Sequence, residues 1–261
     1  MITVKLRGGL GNQMFQNAYG MALEKRGYQV TYDRTALGTG HREYSLAKFG
    51  AFGATPSGDT GPILSENGLQ FNIDNLRPPD PAVMVGYWQT EKYFEDIKDA
   101  VRKRFGTHDS FEGPALDYWN KIRWSFDSSV ALHVRRGDYV GADEAYHGLM
   151  TLNYYTEAIG HIVAEYPNAK VFVFSDDREW CLEHFKEPRC TVVQGTDKYE
   201  DLWLMAFCKH AIIANSSFSW WGAWLGDWRD SRIVVAPKQW FTEQRHDVQD
   251  NDIVPERWVK I

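Results

Sequence analysis

The chain of 261 residues is long enough for one large domain or for two small ones sharing a cleft, and either can bury a substantial core. With 43% hydrophobic and 25% charged residues it lies near the average of soluble globular chains, which excludes wholesale disorder and fibrous repeats. Its 29 Lys and Arg against 35 Asp and Glu give a net charge of −6, which excludes the broad basic field of a general nucleic-acid binder but leaves room for a local basic cluster holding one phosphorylated ligand.

In chain order, Ile2 to Leu6 reads as a short strand and a glycine-rich turn follows. Asn12 to Arg26 then carries helical spacing through Met14, Ala18, Met21 and Ala22, ending at Gly27. Tyr28 to Tyr32 is a second strand, closing at Asp33. Between Gly50 and Pro81 lie five of the ten prolines and five glycines, which predict a long irregular stretch. Val83 to Trp88 resumes as a strand, and Glu91 to Phe105 places Phe94, Ile97, Val101 and Phe105 on one helical face.

From Ser129 the pattern is regular. Strand-like runs recur at Val130 to Val134, Val171 to Phe174, Thr191 to Val193, Ala211 to Ala214 and Ile233 to Val235. Helical stretches separate them at Asn153 to Tyr166, Arg178 to Phe185, Glu200 to Lys209 and Phe218 to Trp228. This alternation predicts an α/β fold of parallel βαβ units, in two Rossmann-like halves covering residues 1–115 and 116–261, with the boundary region near 106–128 and the last residues packing back on the first half. Ligands then belong at the carboxyl ends of the strands, in the crevice between the halves.

Cys181, Cys190 and Cys208 include no C-x-x-C pair, so neither a disulfide framework nor a zinc knuckle is indicated, and a reducing cytoplasm fits. No apolar signal segment opens the chain, and no stretch approaches the roughly 18 apolar residues of a membrane helix, so a lipid-linked partner would be met from the membrane surface. Eleven Trp, 13 Tyr and 14 Phe exceed what a core requires and suit sugar stacking or tight helix packing.

Four motifs sit where a strand gives way to a helix or loop. Arg7-Gly-Gly-Leu-Gly-Asn-Gln13 lets backbone N–H groups approach an anion or a sugar. Gly9 and Gly11 match the first two glycines of a dinucleotide fingerprint and Asp33 stands at the ribose-binding position, but Met14 replaces the third glycine. His133-Val-Arg-Arg-Gly-Asp-Tyr139 sets two guanidiniums together at a strand end, where a pyrophosphate would neutralise them; the alternative is a surface ion-pair cluster of Arg135, Arg136, Asp138 and Asp143. Phe174-Ser-Asp-Asp177 offers paired carboxylates to a base, a ribose or a divalent cation, or else Ser175 or Asp176 caps the following helix. Asn215-Ser-Ser-Phe-Ser-Trp-Trp-Gly-Ala-Trp224 opens a helix whose N-terminus is a further anion cradle and whose tryptophans, with Trp228, read mainly as scaffold. The one clear D-x-D, Asp250-Asn-Asp252, reads as solvated loop.

Taken together, Gly9-Leu-Gly-Asn-Gln-Met-Phe-Gln16, Gly86-Tyr-Trp-Gln-Thr-Glu-Lys-Tyr-Phe94, His133-Val-Arg-Arg-Gly-Asp138, Phe174-Ser-Asp-Asp177 and Asn215 to Trp224 make the sequence resemble the family 11 glycosyltransferases, the α-1,2-fucosyltransferases. The resemblance implies a GT-B-like fold of two Rossmann-like halves facing across a cleft. It also implies GDP-fucose as donor, inverting transfer of L-fucose to the 2-hydroxyl of a terminal galactoside, and no metal or other cofactor. By position, Arg135 and Arg136 look like phosphate ligands, with His133 a neighbouring donor contact. Asp176 and Asp177 look like acids for guanine or ribose, Asp201 joining them, and Ser216, Ser217 and Phe218 look like a second phosphate and nucleotide contact, with Asn215 beside them. Gly11 and Asn12 fall on the donor side too. Asp143 is the expected base, by a transfer from α-1,6 relatives, with Glu144 and Asp138 as alternatives. Trp88 and Gln89 are the expected acceptor contacts, and the acceptor is a galactose-terminated oligosaccharide or a lipid-linked glycan. Two rival readings are a nicotinamide-dependent oxidoreductase using Gly9, Gly11 and Asp33, and a non-catalytic carbohydrate-binding protein.

Overall fold

The computed structural model describes residues 1–38, 43–50, 61–106, 110–137, 140, 148–242 and 252–261. The chain forms two compact units, Met1–Phe105 with Asp247–Pro255, and Gly106–His246 with Glu256–Ile261.

The first unit is built on a four-stranded parallel sheet of order β2-β1-β4-β3. Its strands are β1 (Ile2–Lys5), β2 (Val30–Asp33), β3 (Ile63–Ser65) and β4 (Ala82–Val85). Helix α1 (Leu10–Lys25) follows β1 and buries Met14, Phe15, Ala18, Tyr19, Ala22 and Leu23 together with the polar Gln13, Gln16 and Asn17. In a helix buried this broadly, side-chain amides find partners on the neighbouring loops, as Gln13 and Gln16 do. Helix α2 (Lys98–Phe105) is shorter than the Glu91 to Phe105 helix that the apolar spacing predicts. Phe94, Ile97, Val101 and Phe105 are all buried as expected, but Glu91–Tyr93 and Glu95–Ile97 are 3₁₀ turns hinged at Phe94, whose φ of −132° interrupts the helix. The sequence shows no sign of β3, an edge strand of three residues with Ile63 66% exposed, because it lacks the alternation of a half-buried strand. Asp252 is not a solvated loop residue: its carboxylate accepts from the Phe71 amide at 2.8 Å and pairs with Lys92.

The second unit holds a six-stranded parallel sheet of order β10-β9-β8-β5-β6-β7. The strands are β5 (Ser129–Val134), β6 (Lys170–Ser175), β7 (Cys190–Val192), β8 (His210–Ile212), β9 (Val234–Ala236) and β10 (Val259–Lys260). The α-helices among the described residues are α3 (Gly113–Trp124), α4 (Leu152–Glu165), α5 (Arg178–His184), α6 (Lys198–Phe207) and α7 (Ser217–Trp224). Every residue of β5 is buried, as a central parallel strand covered on both faces requires. Successive side chains point to opposite faces. Val130, Leu132 and Val134 pack with Tyr155, Ala158 and Ile162 of α4, whereas Ala131 packs with Phe172, Phe174, Leu204 and Met205 on the other side, together with Ala115 and Ile122 of α3. By the same alternation His133 lies on the Ala131 face.

In α7, Trp220, Trp221 and Trp224 are fully buried; Trp220 stacks on Trp224 with centroids 5.8 Å apart, and Trp221 meets Trp224 edge-on. The scaffold reading therefore fits these three. It fails for Trp228, which lies beyond the end of the helix and is 64% exposed.

Candidate functional site

In the second unit the chain runs from β5 outward through β6 and β7, then returns to the far side of β5 for β8, β9 and β10. The strand order reverses between β5 and β8, and the crevice outside the carboxyl ends at such a switch point is where ligands of open α/β sheets bind. Arg135 and Arg136 follow β5, and Asn215 to Phe218 follow β8, so two of the four motifs flank the switch point. The third follows β6, the other neighbour of β5.

The arginines meet that third motif directly. Arg135 Nη1 pairs with Asp176 Oδ2 at 2.7 Å, and Arg136 Nε donates to Asp177 Oδ2 at 3.0 Å. The Arg136 backbone N–H donates to Asp176 Oδ1 at 2.9 Å, and its guanidinium lies 4.4 Å over the Trp180 ring. At the next position a Cβ on Gly137 would fall 2.6 Å from Asp176 Oδ2 and force that carboxylate to shift. The helix cap is Asp177, not Ser175 or Asp176: its Oδ1 accepts from the Trp180 amide at 3.1 Å, and its own amide donates to Ser175 Oγ. Burial alone would raise the Asp177 carboxyl, but the Arg136 bond and the Trp180 amide outweigh it and hold the group below its ordinary value. Asp176 and Asp177 are thus partners of the two arginines in the ion-pair cluster.

His133 is 4% exposed, its ring 5.4 Å from that of Phe218, and its Nδ1 has no hydrogen-bond partner among the described residues. Burial lowers its pKa to about 4, against the pull of Asp176 and with the help of Arg135, so the ring is neutral at ordinary pH. Ser216 is the N-cap of α7 without a side-chain capping bond, and Ser217 and Phe218 form its first turn, so the N-terminal amides face the switch point. Asn215 departs from the expected donor contact: it is 1% exposed and its amide clamps the Gly148 and Trp240 carbonyls, each at 3.1 Å. Asp201 does not join Asp176 and Asp177 but accepts from Thr196 Oγ1 at 2.5 Å and Arg178 Nη2 at 3.4 Å. Burial pushes its carboxyl up to about 6, although both partners oppose the rise.

The first unit has its own reversal, between β1 and β4. Gln89 Nε2 donates to Asn12 Oδ1 at 2.7 Å, joining the turn after β4 to the first turn of α1. Gln16 bridges the same two loops, accepting from the Arg7 amide and donating to the Gly86 carbonyl, each at 3.0 Å. Gln13 donates to the carbonyls of Gly8 and Glu43 and accepts from the Ser45 amide. Gly11 is buried within α1. Trp88 does not offer its ring to a sugar: it is 0% exposed and stacked 4.2 Å from Tyr19. Asp33, the acid on which a dinucleotide site would depend, is 2% exposed and taken up by Lys5 at 3.0 Å and the Thr35 amide at 2.8 Å.

Residues 71–261, which include the turn after β4 and all three motifs of the second unit, match the glycosyl transferase family 11. The chain belongs to that family. It is 34% identical over 296 residues to the alpha-1,2-colitosyltransferase of Escherichia coli, an alignment covering 100% of this chain and 99% of that protein. It is 24% identical over 254 residues to galactoside alpha-(1,2)-fucosyltransferase 1 of Saimiri sciureus, covering 85% of this chain and 64% of that one. Among solved structures it is similar to NodZ alpha-1,6-fucosyltransferase soaked with GDP-fucose, at 15% identity and a TM-score of 0.48, over 86% of this chain and 92% of that one.

In this family 11 chain the structure gathers Arg135, Arg136, Asp176 and Asp177 at the carboxyl ends of β5 and β6, and brings His133 to Phe218. It couples Asn12 to Gln89 in the other unit. Asp138, Asp143 and Glu144 lie outside the described residues. Trp180 and Arg178 escape the sequence motifs because their partners, Arg136 for one and Thr196 and Asp201 for the other, are distant in the chain. Glu66, a half-buried carboxylate after β3, is also missed, since it stands in the proline- and glycine-rich stretch where no periodicity singles it out. No helix among the described residues is long and apolar enough to cross a membrane.

Proposed function

We propose that the protein is an inverting, metal-independent α-1,2-fucosyltransferase, moving L-fucose from GDP-fucose to the 2-hydroxyl of a terminal galactoside. The observation that carries this reading is the paired guanidiniums of Arg135 and Arg136, held by Asp176 and Asp177 at the switch point opposite the N-terminus of α7. Family membership and the names of the relatives support it.

The chemistry follows from where charge develops. As the acceptor oxygen bonds to the anomeric carbon, the bond from that carbon to the β-phosphate oxygen breaks, and negative charge collects on the departing GDP. Fixed cations there stabilise the transition state more than the ground state. Arg136 and Arg135 supply that charge as planar forks that match phosphate oxygens. Their carboxylate partners set the guanidinium planes beforehand, so little reorganisation is needed when phosphate arrives. The amides of Ser217 and Phe218 add donors from the helix end. Two such cations do the work that a divalent ion does in other transferases. Neutral His133 donates a hydrogen bond to the donor without adding charge. Asp143 takes the proton of the acceptor hydroxyl as it attacks, with Glu144 and Asp138 as the alternative bases. Asn12 and Gln89 present the polar groups of the first unit, with Gln89 on the acceptor side. The setting is the cytoplasm, a lipid-linked acceptor being met at the membrane surface.

The similarity to a colitosyltransferase favours a second reading, in which the same site uses a colitosyl donor. Turnover of a panel of GDP-sugars, with and without lactose, separates the two. GDP release that depends on lactose and is fastest with GDP-fucose, giving an α-1,2 linkage by NMR of the product, is the expected result. Preference for a colitosyl donor selects the second reading, and release without any acceptor dependence contradicts both.

A further inference from the structure

Glu66 is a half-buried carboxylate of the first unit that no motif explains. Its side chain accepts hydrogen bonds from the backbone amides of Tyr87 at 2.6 Å and of Trp88, the latter shared between both oxygens at 3.1 Å. Its own amide donates to the Val85 carbonyl at 2.8 Å, fixing Glu66 at the carboxyl end of β4. The turn that it grips is strained: Trp88 has φ 57°, a left-handed conformation unfavourable for a bulky side chain, and it persists only where its surroundings enforce it. Those surroundings are Glu66 on the amide side, the stacked Tyr19 ring on the side-chain side, and Gly86, where a Cβ would fall 2.7 Å from both Glu66 Cβ and the Trp88 ring. The next residue is Gln89, whose amide meets Asn12. Arg7, stacked 4.3 Å over the Tyr87 ring, closes the group.

We infer that Glu66 is a positioning residue for sugar transfer: by accepting the Tyr87 and Trp88 amides its carboxylate holds the left-handed turn that fixes Gln89 against Asn12, and so sets Gln89, the polar group that receives the acceptor. The role rests on the transferase reading and adds to it a residue that touches neither substrate.

The carboxylate must be ionised to accept from both amides with full strength, because protonation turns one oxygen into a donor. Burial pushes this carboxyl up to about 7, with the Trp88 and Tyr87 amides and then Arg7 opposing the rise. The titratable groups around it are Arg7 after β1, Tyr19 on α1, and Tyr87 and Tyr93 beyond β4; burial raises the pKa values of Tyr19 and Tyr93, which stay neutral when Glu66 titrates. As pH falls through about 7 the grip on the turn weakens, and acceptor binding weakens with it.

The test compares wild type, Glu66→Gln and Glu66→Asp across roughly pH 5.5 to 8.5, reading acceptor KM, kcat and GDP affinity, with amide exchange at Tyr87 and Trp88 as a readout independent of turnover. The wild-type acceptor KM rises as pH falls through the Glu66 transition. Glu66→Gln raises acceptor KM roughly tenfold at neutral pH, the loss expected from replacing a charged hydrogen-bond acceptor. It also removes the pH dependence, deprotects the two amides and changes GDP affinity far less than acceptor KM. Glu66→Asp keeps a carboxylate and therefore restores the pH dependence. Glu66→Gln with the wild-type KM and profile overturns the inference, as does an equal loss of GDP affinity, which marks a general structural defect. Wild-type protein that transfers no sugar from any GDP-sugar contradicts the transferase reading itself.

Discussion

Arg136 is held from three directions, by Asp177 at Nε, by Asp176 at its backbone amide and by the face of Trp180. A lysine cannot reproduce this, since an ammonium is a point charge with no plane to stack and no fork to share between carboxylate and phosphate. His133 makes a prediction of a different kind. Its pKa of about 4 in the folded protein lies below its ordinary 6.5, because burial disfavours the cation. The unfolded chain therefore takes up the proton first: the stability that His133 contributes is complete above pH 6.5 and is lost as pH falls toward 4. Asp201 runs the other way. Its folded value of about 6 lies above its ordinary 3.8, so it adds stability as pH falls from 6 toward 3.8. Urea unfolding over this range should show His133→Asn losing less stability on acidification than wild type. Equal losses in the two proteins would contradict the neutral, buried histidine.

At the scale of elements, helix α7 carries both the N-terminal amides at the switch point and the aromatic pack that anchors them. Removing Trp224, buried between Trp220 and Trp221, should cost about 3–5 kcal/mol in chemical denaturation, the usual loss for a large buried aromatic. Trp228→Ala should fall within about 0.5 kcal/mol of wild type, as expected at a surface position. The central strands were readable in sequence because parallel strands covered on both faces are continuous apolar runs, and β5, β6 and β8 lie within a residue or two of their expected limits. The elements that escaped include the exposed edge strand β3, the two-residue β10 and helix α3, which buries only Ala115 and Ile122 and lies where the sequence reads as a boundary between the halves. Trp88 was misread for a geometric reason. Trp88 has a positive φ and its ring lies in the core against Tyr19, and sequence gives little warning of a left-handed tryptophan. Asp177 likewise could be told from Asp176 as the cap only once α5 was seen to start at Arg178.

Across the whole molecule, each unit repeats one plan, a parallel sheet whose strand order reverses beside its first strand, with the sequence motifs at the carboxyl ends flanking the reversal. That is why motif order along the chain said so much about where a ligand binds: in this topology each βα turn delivers its residues to the same edge of its sheet. The motifs did not reveal which side chains act through others. Asn215, Gln13 and Gln16 prove to be clamps on backbone carbonyls and amides, and Glu66 a grip on a turn, because hydrogen bonds between segments far apart in the chain leave no local signature. The acidic chain concentrates the cations that matter at one place, and the central claim is that Arg135 and Arg136 there stabilise a departing nucleoside diphosphate without a metal. The most direct measurement is GDP release from GDP-fucose, with lactose as acceptor and EDTA present, in wild type and Arg136→Lys. Release that persists in EDTA and falls roughly 100-fold in the variant is the predicted result. Equal release by the two enzymes, or release that requires an added divalent cation, would contradict it.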